Sequence, residues 1–119
     1  MNSVSMKIYF NQSCSKCRNA VAQLDEKGID YQLVKYLESE LSASELGDII
    51  DMLQDPLEDL VRKDENFREL GLNGKDYVTK DAVIELLSAH PKLMQRPIIV
   101  KDGKASIART PEKVDELTG

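Results

Sequence analysis

The chain has two cysteines, Cys14 and Cys17, and both lie in the stretch NQSCSKCRN, residues 11 to 19, with Lys16 and Arg18 on either side of the second. Asn11-Gln-Ser13 are turn formers that lead out of a strand into a helix, so Cys14 falls at or beside a helix N-terminus. Unpaired backbone N–H groups and the positive end of the helix dipole favour a thiolate there, as do nearby cations. Cysteines so placed have lowered pKa values and act as nucleophiles. Cys17 comes about one helical turn later, close enough to reach back within disulfide distance. Free cysteine is also a common buried hydrophobe. A C-x-x-C at the strand-to-helix junction of a βαβ unit favours thiol chemistry over that plainer use.

The second group that could do chemistry is cationic. Pro97 to Lys101, Asp102-Gly103 and Lys104 to Ala108 spell a hairpin with a two-residue type I′ turn. Counting back from that turn sets Lys101 against Lys104, Ile98 against Ile107 and Arg96 against Arg109. Like charges directly opposed in a ladder are destabilising. The strand ends must therefore splay, or something negative must sit between the arginines. Arg109 also adjoins a helix opened by Thr110-Pro111, an N-cap followed by proline at the first helical position. Two guanidiniums at a helix start can cradle an oxyanion, and two solvated arginines at a fraying hairpin mouth would look the same in sequence. Arg62 reads as a surface arginine on an amphipathic helix. His90, before Pro91, reads as a helix-end residue. The acidic side chains show no paired-carboxylate pattern.

The elements that must position these groups run in a clear order. Lys7 to Phe10 is a short β-rich run, and Ala20, Val21 and Leu24 recur at helical spacing before Gly28 stops the helix. Asp30 to Leu37 returns to strand character. That is a βαβ unit, with a right-handed crossover and a parallel strand pair. Ser42-Ala-Ser-Glu45 is a capping box opening a second helix through Leu53. Pro56 begins a shorter helical piece carrying Leu57, Leu60, Val61 and Arg62. Asn66 to Leu70 adds a turn closed by Gly71, and Thr79 caps a helix that ends before Pro91. The hairpin and its following helix complete the order: βαβ, a helical insertion, ββα. The expected fold is α/β with a mixed four-stranded sheet.

Length and composition narrow the classes further. At 119 residues, 41% hydrophobic and 31% charged, the chain suits one domain, residues 1–119, with the helical insertion at about 42–90. A net charge of −5 argues against non-specific nucleic-acid binding, which needs a positive face. No apolar run approaches the ~20 residues that span a bilayer. Met1 to Lys7 lacks the basic and apolar regions of a secretory leader, so a cytoplasmic protein is expected. In a reducing compartment two close cysteines serve catalysis, redox sensing or metal binding rather than permanent bracing. One cysteine pair and one distant histidine fall short of the four ligands of a structural zinc site, so no metal is expected.

Together these pieces resemble the arsenate reductase family of thioredoxin-like proteins, the glutaredoxin-linked type, from Lys7 onward. The matching words are IYFNQSCSKCRN (8 to 19), KYLE (35 to 38), LVRKDE (60 to 65), ELGL (69 to 72), HPKLMQRPIIV (90 to 100) and ARTPEKV (108 to 114). The resemblance implies a thioredoxin-like core with a helical insertion. It places the nucleophile on Cys14, three oxyanion-binding arginines on Arg62, Arg96 and Arg109, and the family's cis proline on Pro97. Cys17 is the candidate second thiol, and Asn11, Ser13, Arg18 and Pro97 are the expected substrate-binding surroundings. The implied activity is reduction of arsenate to arsenite by a chain that is expected to be monomeric. Glutathione is the implied co-substrate, glutaredoxin or thioredoxin the reductant, and no bound cofactor is expected.

Two positions depart from the pattern. Phe10 stands where reductases of this type carry a histidine, and Cys17 where they commonly carry serine. Thiolate stabilisation then falls to the helix end and the cations, and an internal Cys14–Cys17 disulfide becomes available. Two other readings fit the same motifs: a general dithiol–disulfide oxidoreductase, and an Spx-type redox-sensing regulator that binds RNA polymerase.

Overall fold

The computed structural model describes residues 6–38 and 41–118; the leader reading of Met1 to Lys7 therefore falls largely outside the described residues. Four strands, β1 (Met6–Tyr9), β2 (Gln32–Val34), β3 (Ile98–Lys101) and β4 (Lys104–Ile107), form one mixed sheet in the order β2-β1-β3-β4. β1 runs parallel to β2 and antiparallel to β3, and β3 pairs antiparallel with β4. Five α-helices surround it among the described residues: α1 (Ser15–Glu26), α2 (Ala43–Met52), α3 (Glu65–Glu69), α4 (Lys80–Ala89) and α5 (Pro111–Thr118).

The strand period of two decides which face of the sheet each residue serves. Met6 and Ile8 of β1 and Ile99 of β3 point into a small core with Ala20 and Leu24 of α1 and Val114 of α5. Tyr9 and Ile98 point to the other side, into a larger core built from α2, α4 and the intervening turns, including Leu46, Ile49, Val83, Leu87, Leu93 and Met94. Both faces are thus covered, as the apolar runs of β1 and β3 require. The edge strand β4 is also shielded. Gln54 donates to the Ala105 carbonyl at 2.9 Å, and the Asp55 carboxylate accepts from Ile107 N–H at 2.9 Å.

Local signals act where the residues call for them. The Ser42–Glu45 capping box forms with both reciprocal bonds, 3.1 and 3.2 Å. Asp102 and Gly103 take φ of 52° and 75°, as a type I′ turn demands, and Ile98 pairs with Ile107 and Lys101 with Lys104. Two elements are shorter than their sequence pattern. β2 ends at Val34, because the Lys35 carbonyl turns to accept Glu38 N–H at 3.0 Å, and this leaves Tyr36 in a turn. The helical piece after Pro56 is a single 3-10 turn, Leu57–Leu60. Arg62 is therefore not on a helix. Val61 instead forms an antiparallel bridge with Met94, and Arg62 N–H donates to the Leu93 carbonyl at 2.7 Å. A long-range backbone pairing thus takes over where the helical pattern would have continued.

Candidate active site

The site lies beyond the carboxyl end of β1, the usual location of ligand sites in open α/β sheets. Asn11 builds the loop that follows. Its side-chain carbonyl accepts from Ser13 N–H at 3.0 Å, its backbone carbonyl from Cys14 N–H at 2.9 Å, and its own N–H faces Cys17 Sγ at 3.5 Å. Cys14 is the N-cap of α1, extended at φ −95°, ψ 120°. It is half-buried, whereas Cys17, on the inward side of the first turn, is 0% exposed. Both thiols are free.

The two sulfurs are driven in opposite directions. Burial alone would raise the Cys14 pKa. Donors directed at its sulfur overcome this and bring the value down to about 7: the Cys17 N–H, the Cys17 thiol, the Arg96 guanidinium and the Lys16 N–H. Cys17 is pushed up to about 12, chiefly by burial and then by the negative charge and hydrogen bonding of Cys14, against the help of Asn11 N–H. Cys14 is thus the thiolate and Cys17 the thiol that donates to it.

The cations divide differently from their order in sequence. Lys16 acts on Cys14 through its backbone, and the Arg18 guanidinium turns to the Gln12 carbonyl at 2.8 Å, bracing the loop. The expectation that these neighbours supply the positive side chains is corrected: Lys16 and Arg18 are exposed while Cys17 between them is buried, and the guanidinium that acts on the sulfur comes from Arg96, 82 residues away. Arg96 is aimed by its Nη1, which donates to the Lys92 carbonyl at 2.7 Å. Arg109 Nη1 donates to the Arg96 carbonyl at 2.5 Å, so the two opposed arginines are reconciled by backbone oxygens, with strand pairing carried on by Ala108 N–H to the Pro97 carbonyl at 2.9 Å. Pro97, in a cis peptide, is buried at this junction. Arg62 donates to Asp64 at 3.2 Å and to the Gln95 side chain at 3.2 Å, held beside the segment that carries Arg96. Burial would raise the Asp64 carboxyl, but the Phe67 N–H and then Arg62 hold it below the ordinary range. Phe10 is buried, and its N–H bonds the Val34 carbonyl at 2.9 Å, tying the base of the cysteine loop to β2.

Sequence reasoning missed Tyr36. It is 1% exposed and lies in electrostatic reach of Arg96, Cys17, Cys14 and Arg62. Its place directly after a strand parallel to β1 is the signal that could have found it.

Known proteins resemble this chain in sequence and fold. The chain is 39% identical over 116 residues to the uncharacterized protein YfgD of Escherichia coli K12, covering 96% of this chain and 97% of the relative. It is 38% identical over 114 residues to an arsenate reductase of Neisseria meningitidis, covering 94% and 97%. Among solved structures, the arsenate reductase from Vibrio cholerae superposes with a TM-score of 0.83 at 38% identity, over 97% of this chain and 98% of that one. The sequence pattern of the ArsC family matches residues 9–117, and with that match and these relatives the chain belongs to the ArsC family and has its thioredoxin-like fold.

Proposed function

We propose that this protein is a thiol-dependent arsenate reductase in which Cys14 is the nucleophile. The observation that carries the reading is the place of Cys14, half-buried at the N-cap of α1 with the Arg96 guanidinium acting on its sulfur, which draws its pKa down to about 7. The thiolate attacks arsenic, and an arsenate oxygen departs as water after taking up protons, leaving a Cys14–arsenic bond. Arg96, with Arg109 and Arg62 on its flanks, offsets the charge on the oxyanion. A second thiol then attacks the Cys14 sulfur. A disulfide forms, the sulfur–arsenic pair stays with arsenic, and arsenic(V) leaves as arsenite.

We assign that second thiol to glutathione, with glutaredoxin or thioredoxin clearing the disulfide, on a monomeric protein that needs no resident cofactor. The burial of Cys17 and its pKa of about 12 support an external thiol, because a protonated, enclosed sulfur is a slow attacker. Asn11, Ser13, Arg18 and Pro97 shape the loop and junction around the substrate. The contact between the two sulfurs supports a second reading, with Cys17 as the internal resolving thiol once arsenic has neutralised Cys14.

Purified protein given arsenate, glutathione and glutaredoxin should release arsenite, and no arsenite with any thiol donor would sink the assignment. Cys17→Ser is expected to keep glutathione-dependent turnover within about fivefold, because a hydroxyl can replace the thiol as donor to Cys14. A loss beyond about a hundredfold would make Cys17 the resolving thiol instead.

A further inference from the structure

Among the described residues two buried side-chain polar atoms lack a hydrogen-bond partner, the Tyr36 hydroxyl and Arg96 Nε. Native interiors pair nearly all such atoms, so each calls for an explanation. Tyr36 shares a buried cluster with Leu60, Val61, Leu93 and Met94. The chain leaving Val61 runs into Arg62, and the chain leaving Met94 runs into Arg96. The ring is thus anchored in the core, with its hydroxyl in electrostatic reach of both arginines and of Cys14.

The chemistry of the two orphans is complementary to one kind of guest. Arg96 Nε can only donate. Burial pushes the Tyr36 hydroxyl up to about 12, against the pull of Arg96, so it keeps its proton while Cys14 is a thiolate. Two unpaired donors beside a nucleophile lack an acceptor, and the oxygens of an oxyanion are acceptors alone when ionised. Packing by itself would be served as well by phenylalanine, without an unpaired hydroxyl.

We propose that Tyr36 is a further oxyanion-contacting residue, whose hydroxyl donates a hydrogen bond to an oxygen of arsenate bound at Cys14. This rests on the reading of the Cys14 pocket as an arsenate site. A neutral donor orients the anion without adding a charge to a pocket that already holds arginine.

The test is protection of Cys14 from iodoacetamide by arsenate in the full chain, read by peptide mass spectrometry, for wild type and Tyr36→Phe. Arsenate should protect the wild type, and the half-protecting concentration should rise about tenfold in Tyr36→Phe, with a melting temperature no lower than wild type. An unchanged half-protecting concentration would overturn the contact. A displaced pH profile of alkylation without arsenate would overturn it too, by assigning the hydroxyl to the thiolate. Absence of protection in the wild type would remove both this contact and the arsenate site. Protection that weakens in Tyr36→Phe, in a protein that releases no arsenite, would leave the contact standing and remove the reductase assignment.

Discussion

Cys14→Ser is expected to abolish arsenate turnover, by at least about three orders of magnitude, while leaving the fold as stable as before or more so. The loss follows from the chemistry. A hydroxyl has no accessible anion near neutral pH, and an oxygen cannot form the disulfide through which two electrons reach arsenic. The stability result follows from the cap. Cys14 sits at the N-cap of α1 with no side-chain cap hydrogen bond of ordinary geometry. Serine is a preferred N-cap, and replacing such a residue by a poor one costs about 0.5–2 kcal/mol, so the change here runs in the favourable direction. Arsenite release and urea denaturation of the same preparation check both halves. Residual turnover above about one per cent would remove Cys14 from the role of nucleophile. The sulfur thus occupies a position where it serves chemistry at some expense of helix capping.

Arg96→Met is expected to have the next largest effect, and pH separates its two causes. Removing the guanidinium raises the Cys14 pKa above about 7, because a donor to the thiolate is lost. At pH 7 the thiolate fraction then falls, and alkylation slows by up to about tenfold per unit of displacement. At pH 9 both proteins hold mostly thiolate and their alkylation rates converge. Arsenate turnover does not recover in the same way. The anion has still lost a charged donor, and kcat/KM is expected to stay about 10²–10³-fold down at either pH. A general dithiol oxidoreductase would behave differently: its activity toward a disulfide substrate would return at pH 9 along with alkylation. Measuring arsenite release and iodoacetamide rates across pH 6–9 therefore tests the oxyanion role apart from thiolate activation.

Local chemistry made much of this protein legible in its sequence. Turn residues ahead of Cys14, the capping box at Ser42, and Asp102-Gly103 each act within a few residues, and each forms the element it specifies. The hairpin count even carried to Arg96 and Arg109, because antiparallel register propagates residue by residue from the turn. The C-x-x-C and the helix start together identified which sulfur is activated, since the backbone N–H groups that stabilise it belong to the next three residues.

Tertiary structure alone decided which distant groups join that sulfur. Lys16 and Arg18 are its neighbours in sequence, yet both are exposed, Arg18 gives its guanidinium to the Gln12 carbonyl, and the side chain that acts on the sulfur is that of Arg96. Arg62 looked like a helix-surface arginine until the Val61–Met94 bridge drew it beside Arg96. Tyr36 looked like one more strand residue, and only the parallel pairing of β2 with β1 set it within electrostatic reach of Cys14. Sequence determines what interacts across one helical turn or one hairpin, where chain geometry fixes the distances. Contacts across 22 to 82 residues depend on how two cores close on the two faces of one sheet, and no local pattern encodes that closure.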